Sequence, residues 1–292
     1  MPKIVFFLFI LVVSIAHPQN QISEPVEVPF MLTPEGHIII QARVNGVQGN
    51  FVFDTGAGIN LFTQKFADTV GSLEKTHHFY TGHRATGEAL QGDLWNFQSL
   101  QIGDFNAGNG KSVVLDFDFP IDGLIALTPF KHQPITIDFE HKMLLIESPN
   151  SLEERLRQKD FEMPIFITND RDINIDISTS VLLNDTLMLD VGLDSGAGFG
   201  VYRFSARYMD TLGVDSTQVK KEYKPSYFDS GKGNTHYYTS LGKLSNVGKD
   251  TSISNFDAIF IDGLIYEGIM GMDWIGQRIT IDLPNHRLIV KK

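Results

Sequence analysis

The chain of 292 residues contains no cysteine, which excludes disulfide bonds and a lipid-modified N-terminal cysteine. It also lacks a basic block, and its formal net charge of −11 argues against binding to a phosphate backbone. After residue 15 no apolar run approaches the ~20 residues that a membrane-spanning helix needs. With 42% hydrophobic residues the chain can bury a sizeable core. These features predict an acidic globular protein that does not bind nucleic acid.

The N-terminus has the pattern of a secretory signal. A positive start is followed by an apolar stretch at residues 4–15, and Ser14-Ile15-Ala16 has the small-x-small pattern of a cleavage site. We predict that residues 1–16 are a signal peptide and that the mature protein begins at His17. A membrane anchor is the alternative, and the short apolar run disfavours it. The expected location is periplasmic or extracellular, with no membrane association after cleavage.

One short glycine-rich motif occurs twice. Residues 54–58 read D-T-G-A-G and residues 194–198 read D-S-G-A-G, each after an apolar run. An aspartate at a strand end, with glycines behind it, can lie on a tight turn that a second matching turn approaches closely. Two carboxylates brought together in this way share a proton and provide an acid and a base side by side. The candidate catalytic residues are therefore Asp54 and Asp194.

The repetition extends beyond this motif. Residues 62–71 and 204–213 share the pattern F-[ST]-x-[KR]-[FY]-x-D-T-[VL]-G. The pattern predicts a short helix with a hydroxyl residue as its N-cap and a glycine at its C-terminal end. Residues 135–139 and 279–283 both read I-T-I-D followed by an apolar residue. Together these matches indicate a tandem duplication of one β-rich unit.

On these motifs the chain resembles the aspartic peptidases of the retropepsin and pepsin type, in their bacterial, signal-bearing form, over nearly the whole mature chain. In that family each lobe supplies one D-[ST]-G aspartate, and an apolar-apolar-Gly tripeptide packs beneath each aspartate loop. Residues 269–271 match this tripeptide as I-M-G, whereas residues 124–126 read L-I-A. The resemblance implies an all-β fold of two duplicated, barrel-like lobes, with a short helix in each lobe and an active-site cleft between them.

The resemblance also implies an activity. The chain is expected to be an exported aspartic endopeptidase that hydrolyses a peptide or protein substrate with a water molecule activated between two carboxylates. A monomer with two pseudo-symmetric lobes is expected, and neither a metal nor an organic cofactor is needed. In the family the hydroxyl residue after each aspartate braces the opposite loop. The residues implied to support the two aspartates are Thr55, Gly56, Ala57, Ser195, Gly196 and Ala197.

An enzyme of this type needs a cover that excludes water from the cleft. The glycine-punctuated segment 80–87 is the candidate in the first lobe, and residues 228–234 are its counterpart in the second. Two ordinary hairpin tips explain the same patterns, because glycine-rich turns are common there. The residues considered for the first flap are Tyr80, Thr81 and Gly82.

Hairpins are predicted before each aspartate loop, with turns at Asn45-Gly46 and Asn184-Asp185. The S-L-E-E pattern at residues 151–154 predicts a capping box that opens a short charged helix. The predicted organisation is a signal peptide at 1–16, an N-terminal lobe at 24–148, an inter-lobe linker at 149–163 and a C-terminal lobe at 164–292.

A second hypothesis is that the cleft between the lobes binds peptides without hydrolysing them. Ala126 stands where the family has a glycine, and this departure favours a catalytically weak or inactive exported protein that binds or senses peptides. The two hypotheses differ in an observable way. A transition-state mimic binds an active pair of aspartates far more tightly than a plain peptide, whereas a cleft that only binds shows little preference.

Overall fold

The structure is a computed structural model that describes residues 22–226 and 231–292. The predicted signal peptide at 1–16 and residues 228–230 of the second predicted flap lie outside the described residues. Within the described ranges no helix has the length and apolar character needed to cross a bilayer. The described chain is mostly β-strand, which confirms the predicted all-β fold class.

The strands divide into two halves of similar content, which we call lobe 1 (β1 to β11) and lobe 2 (β12 to β22). Lobe 1 contains β1 (Val26–Pro29), β2 (Met31–Leu32), β3 (Ile38–Val44), β4 (Val47–Phe53), β5 (Asn60–Thr63), α1 (Gln64–Val70), β6 (Glu74–His83), β7 (Ala89–Ile102), β8 (Phe105–Leu115), β9 (Gly123–Ile125), β10 (Ile135–Asp138) and β11 (Met143–Ile146). The connecting helix α2 (Pro149–Gln158) is followed by β12 (Phe161–Pro164), β13 (Phe166–Thr168), β14 (Asp176–Leu183), β15 (Leu187–Leu193), β16 (Tyr202–Ser205), β17 (Lys220–Pro225), β18 (Gly233–Asn246), β19 (Ser252–Ile261), β20 (Gly268–Met270), β21 (Arg278–Asp282) and β22 (Arg287–Lys291).

Each lobe is a closed barrel of six strands. In lobe 1 the order is β3-β4-β9-β5-β8-β7, and pairing of β3 with β7 closes the ring. In lobe 2 the order is β14-β15-β20-β16-β19-β18, closed by pairing of β14 with β18. Buried residues alternate with partly or fully exposed ones along β3 and β14, which turns one face of each strand into the barrel. The two duplicated, barrel-like lobes that the resemblance implies are therefore present.

Both predicted hairpins lead into the aspartate loops. The β3–β4 hairpin turns at Asn45-Gly46, where both residues have positive φ, as a two-residue turn of this kind requires. The β14–β15 hairpin turns at residues 184–186, and Asn184 and Asp185 again have positive φ. Asparagine, aspartate and glycine tolerate this conformation better than other residues.

The two predicted short helices differ from one another. Thr63 caps α1 by accepting a hydrogen bond from the Phe66 N–H, and Gly71 ends the helix in a left-handed conformation. In lobe 2 the matching residues 206–212 form two consecutive 3₁₀ turns, and Ser205 makes no capping bond. Without that cap, the tighter i to i−3 bonds of the 3₁₀ turns satisfy the backbone groups.

The capping box predicted at residues 151–154 is wrong by three residues. Helix α2 begins at Pro149, and its N-cap is Ser148, whose hydroxyl accepts from the Ser151 N–H while the Ser151 hydroxyl accepts from the Ser148 N–H. Serine at the third helical position thus takes the role that glutamate usually has in this motif. Pro149 explains the early start, because its fixed φ suits the first helical position.

A third sheet of six strands, in the order β1-β11-β10-β21-β22-β12, joins the two lobes. The repeated I-T-I-D segments lie at its centre as β10 and β21, paired antiparallel with Thr136 opposite Thr280. The hydroxyls of these two threonines are 2.6 Å apart and hydrogen-bonded. This pairing sets the lobes about a pseudo-two-fold axis.

Candidate active site

The two aspartates are held at equivalent strand ends. Asp54 follows β4, and its N–H donates to the Ile125 carbonyl of β9 at 2.9 Å; Asp194 follows β15, and its N–H donates to the Met270 carbonyl of β20 at 2.9 Å. In both lobes these two strands pair parallel, and they carry the chain to the same edge of the barrel. The duplicated sequence therefore presents two carboxyl groups in equivalent ways.

The hydroxyl residues after the aspartates bind across the lobe boundary. The Thr55 N–H donates to the Ser195 hydroxyl at 3.0 Å, and the Ser195 N–H donates to the Thr55 hydroxyl at 2.9 Å. Each hydroxyl in turn donates to a carbonyl of the other lobe, Thr55 to Leu193 and Ser195 to Phe53. Both side chains are buried. This set of four bonds, which we call the cross-brace, fixes one aspartate loop against the other.

The glycines of both motifs make room for the opposite carboxyl group. A Cβ added to Gly56 would lie 2.4 Å from the Asp194 Cγ, and a Cβ added to Gly196 would lie 2.4 Å from the Asp54 Cγ. Any side chain here would displace a carboxyl group, since separations below 3.0 Å do not occur for Cβ atoms. Each glycine is thus required by the residue it faces in the other lobe.

The close approach changes the acidity of both aspartates. Burial, the charge of Asp194 and the hydrogen bond to Asp194 raise the pKa of Asp54 well above its usual range. Burial also raises the pKa of Asp194, while the hydrogen bond from Asp54 and the nearby Arg203 guanidinium oppose the rise. Two carboxyl groups in contact cannot both ionise easily. The pair therefore holds one proton between its members over a range of pH between its two ionisation steps.

The two loops bind their own aspartates differently. The Asp54 Oδ1 atom accepts hydrogen bonds from the N–H groups of Gly56 at 2.9 Å and Ala57 at 3.1 Å. In lobe 2 residues 195–197 form a 3₁₀ turn, and the buried Asp194 Oδ1 has no partner with good hydrogen-bond geometry within the described residues. The amides of Gly196 and Ala197 still lower the pKa of Asp194. Asp194 is thus the less firmly held of the two carboxyl groups.

Arg203 is a site residue that sequence reasoning missed. It lies on β16 opposite Ile269, in the position that Leu61 occupies on β5 opposite Leu124. Burial lowers the pKa of its guanidinium, and the charge of Asp194 opposes that effect. The signal was available in the sequence, because each residue stands immediately before the repeated F-[ST] pair. A leucine in one copy and an arginine in the other mark a difference in charge beside the aspartates.

The residues beneath the loops accommodate the departure at Ala126. The Ala126 N–H donates to the Asn60 side-chain oxygen at 3.0 Å, whereas the Gly271 N–H donates to the Val201 carbonyl at 2.9 Å. A Cβ added to Gly271 would lie 2.3 Å from the Gly198 carbonyl oxygen. Lobe 1 thus holds its tripeptide through a side chain and has space for a methyl group, which lobe 2 lacks. Asn60 is a second residue that the sequence reasoning missed.

Both aspartates line a cleft of about 1050 Å³ between the lobes. Lobe 1 supplies a mostly apolar wall, and lobe 2 supplies a wall with several carboxyl groups. The lobe 1 wall includes Val52, Leu61, Leu115, Phe117, Phe119 and Leu124. The lobe 2 wall includes Asp176, Ser178, Asp190, Tyr266, Glu267 and Ile269. Size, apolar lining and a few convergent polar groups suit a ligand-binding cleft.

The segment considered for the first flap is part of a hairpin that reaches lobe 2. Tyr80, Thr81 and Gly82 lie on β6, and the β6–β7 turn spans residues 84–88. At the turn the Ala85 carbonyl accepts from the Ile265 N–H at 3.0 Å. The Glu88 carboxylate accepts a hydrogen bond from the Ser226 hydroxyl. The hairpin therefore covers the cleft from one lobe to the other, a position suited to excluding water.

No group of three or more histidine, aspartate or glutamate side chains within residues 22–226 and 231–292 is arranged to hold a metal ion. The side chains that the two aspartate loops bring together are carboxyl groups. A pair that carries one proton can donate a proton from one member and accept a proton with the other.

Residues 40–128 match a family model described as aspartyl protease. The matched stretch runs from β3 to the turn after β9 and includes Asp54, Thr55 and the β6–β7 hairpin. It supports an aspartic protease family for the chain and suggests peptide hydrolysis in general terms. The match ends before lobe 2 and does not include Asp194. Comparison with curated proteins finds no match.

Proposed function

We propose that the protein is an exported aspartic endopeptidase in which Asp54 and Asp194 form one catalytic site within a single chain. The observation that carries the proposal is the hydrogen bond between the two carboxyl groups, each of which lies against the other loop's glycine, within a cleft large enough for a peptide. The cross-brace keeps the two loops in that arrangement. A purely structural pair of aspartates would gain nothing from burial beside another carboxyl group, because such burial is unfavourable.

The mechanism follows from the shared proton. The ionised carboxylate removes a proton from a water molecule that lies between the two groups, and the water oxygen attacks the scissile carbonyl carbon. The protonated carboxyl group donates its proton to the carbonyl oxygen, and a tetrahedral diol forms. The newly protonated carboxyl group then donates its proton to the leaving nitrogen while the other carboxylate takes a proton from a diol hydroxyl, and the C–N bond breaks to leave a carboxylic acid and an amine. No covalent enzyme intermediate forms, and both carboxyl groups end in the state in which one proton is shared.

The two aspartates have different roles in this proposal. Arg203 lies near Asp194, and the equivalent residue near Asp54 is Leu61. A cation favours the ionised form of its neighbour. The free enzyme accordingly keeps the proton mainly on Asp54, and Asp194 is the base that first activates water.

The direct test replaces each aspartate by asparagine. We expect Asp54→Asn and Asp194→Asn each to reduce kcat/KM for peptide hydrolysis by at least about 10³-fold, since general acid and base groups contribute 10² to 10⁴ each. Peptides from a diverse library, mapped by mass spectrometry, provide the substrates. The change of Asp257, an exposed aspartate on β19, to asparagine is the matched control and should keep wild-type turnover. Near-normal turnover by Asp54→Asn would contradict the two-carboxylate mechanism.

A binding-only cleft is the competing function, and Ala126 was its main support. That support is weak, because Asn60 takes up the Ala126 N–H and the Asp54 N–H keeps its bond to Ile125. A statine-type transition-state mimic separates the two functions. We expect it to bind the mature protein at least about 10²-fold more tightly than the matching plain peptide. Equal affinity of mimic and peptide would favour the binding function.

Export and oligomeric state are part of the proposal. The pattern at residues 1–16 supports cleavage before His17 and a location in the periplasm or outside the cell. Both aspartate loops lie in one chain, which supports a monomer as the active form. N-terminal sequencing of the recovered protein should begin at His17, and light scattering should give the mass of one chain. An intact Met1, or activity confined to a dimer, would contradict these two points.

A further inference from the structure

The residues at the start of the two hairpins differ in charge between the lobes. Val44 and Leu183 are the last paired residues of the first strand in their hairpins. His37 lies seven residues before Val44, and Asp176 lies seven residues before Leu183 (44 − 37 = 7; 183 − 176 = 7). Both line the cleft between the lobes. They occupy equivalent places on opposite sides of the catalytic pair. The duplicated frame therefore carries a carboxylate on one side and an imidazole on the other.

The Asp176 carboxylate is fixed against the lobe 1 aspartate loop. The Ile175 N–H donates to the Gly58 carbonyl at 2.8 Å, which ties the chain before Asp176 to the loop that carries Asp54. Glycine at position 58 leaves room for the Asp176 carboxylate, because a Cβ added there would lie only 3.2 Å from the Asp176 Oδ1. The Asn174 amide donates to the Asp176 Oδ2 at 3.2 Å. None of the ion pairs found within the described residues includes Asp176.

Two tyrosines face this carboxylate. Tyr80 on the β6–β7 hairpin is partly buried and Tyr266 on the β19–β20 loop is 42% exposed, and the Asp176 charge raises the pKa of both phenols after the effect of burial. The Asn174 amide lies 3.5 Å from the Tyr80 hydroxyl. All four residues line a side cavity of about 380 Å³ that opens beside Gly56 and Gly58.

The other charges near the cavity do not neutralise Asp176. Asp170 adds a second carboxylate to the lining, and its own ion pair is with the neighbouring Arg171, on the surface. Arg84 lies at the cavity edge, where it forms an ion pair with Glu88 at 2.9 Å. His83 is exposed. Burial and the charge of Asp54 raise the pKa of Asp176. The cavity alone therefore disfavours the charged form of Asp176, and a bound cation would stabilise that form.

We propose that the cavity formed by Tyr80, Asp176 and Tyr266 is a subsite that accepts a basic side chain, lysine or arginine, of the peptide substrate. The proposal rests on the proposed function, because it places this side chain on one side of the scissile bond. A carboxylate supplies the charge complement, and the two ring faces supply favourable contacts for an ammonium or guanidinium group and its methylene chain. The largely apolar lobe 1 wall accepts the residue on the other side of the bond.

The test compares matched peptides. A position-scanned set carries one lysine in an otherwise neutral apolar sequence, and each member has a partner with norleucine, which has the same four-carbon chain without the ammonium group. We expect lysine at one position beside the scissile bond to raise kcat/KM by about 10- to 100-fold over norleucine, the range for a hydrogen bond to a charged group. The change Asp176→Asn should reduce that ratio to near one.

The control is another cleft carboxylate. Asp190 lines the same cleft but not the side cavity that the two tyrosines line, and it accepts a hydrogen bond from the Ser180 hydroxyl. The change Asp190→Asn alters the cleft charge equally, and it should leave the ratio unchanged. The surface residue Tyr266 gives a second variant: Tyr266→Phe should keep the preference, and Tyr266→Leu should reduce it about 2- to 5-fold through loss of the ring.

Binding separates this proposal from the proposed function. In the Asp54→Asn protein, fluorescence anisotropy of labelled peptides should give the same preference for lysine, and adding Asp176→Asn should remove it. If the wild type hydrolyses none of the peptides and this binding preference remains, the peptidase assignment fails and the basic subsite stands. The subsite is overturned if lysine and norleucine peptides bind or react equally at every position, or if the preference survives Asp176→Asn.

Discussion

The two lobes agree where they hold the aspartates and differ where they face the cleft. In both, the aspartate N–H bonds to the neighbouring parallel strand, and the next hydroxyl residue bonds across to the other lobe. Leu61 and His37 in lobe 1 correspond to Arg203 and Asp176 in lobe 2. The shared contacts bring the two carboxyl groups together, and the departures from symmetry give the two groups and the two walls of the cleft different surroundings.

The largest difference between lobes is expected beneath the loops. The change Gly271→Ala places a methyl group 2.3 Å from the Gly198 carbonyl, whereas Ala126→Gly removes a methyl group that already fits. We expect Gly271→Ala to lower the free energy of unfolding by about 3 kcal/mol, as overpacking does. Ala126→Gly should cost about 1 kcal/mol. Urea unfolding measures both, and equal losses would mean that the two lobes hold their loops alike.

The cross-brace is the symmetric part, so its two halves should respond alike. The changes Thr55→Val and Ser195→Ala each leave a buried N–H of the other lobe without an acceptor, which costs about 1–3 kcal/mol. Activity should fall with stability, because the carboxyl groups lose their mutual alignment. The swaps Thr55→Ser and Ser195→Thr keep a hydroxyl and serve as controls. A loss in only one of the two variants would show that a single lobe sets the geometry.

Arg203 provides a test with a defined sign. A cation beside Asp194 lowers the pKa of that carboxyl group. Activity is lost on the acidic side when the second carboxyl group takes up a proton. The change Arg203→Leu, which copies Leu61, should raise the pKa of Asp194 and move the acidic limb of the pH profile of kcat/KM to higher pH. Arg203→Lys keeps the charge and should move the limb less, and an unchanged limb in Arg203→Leu would separate Arg203 from the chemistry.

The smallest difference is expected at the helix caps. Thr63→Ala removes the hydroxyl that accepts from the Phe66 N–H and should cost about 1 kcal/mol. Ser205→Ala removes a hydroxyl that makes no capping bond and should change stability by less than about 0.5 kcal/mol. Thermal unfolding of the two variants measures this contrast. Equal shifts in Tm would mean that the Ser205 hydroxyl stabilises lobe 2 as much as the Thr63 hydroxyl stabilises lobe 1. That result would contradict replacement of the cap by the 3₁₀ turns.

Much of the fold could be predicted because the same sequence motifs occur twice in the chain. Two short motifs 140 residues apart, each behind a predicted hairpin, predicted a duplicated β-rich unit whose two aspartate turns meet, and the family resemblance supplied the barrel-like lobes. The residues that distinguish the lobes were harder to find. Tyr80, Asp176 and Tyr266 lie 96 and 90 residues apart along the chain, and only barrel closure and the meeting of the lobes bring them together (176 − 80 = 96; 266 − 176 = 90). Asn60 was missed for another reason. Its side-chain oxygen accepts the Ala126 N–H, whereas the equivalent Gly271 N–H uses the Val201 backbone carbonyl, and no repeated sequence motif marks this exchange.

The strand pair that unites the lobes also bears on synthesis. The first barrel uses residues 38–125, and β10 follows at Ile135–Asp138, but its partner β21 begins at Arg278, 140 residues later (278 − 138 = 140). Until that strand leaves the ribosome, the Thr136 edge of a finished half-molecule is an unpaired strand open to other chains. Truncated products that end before β21 will therefore tend to associate edge to edge, and a chaperone that covers this edge during translation would raise the yield of folded protein.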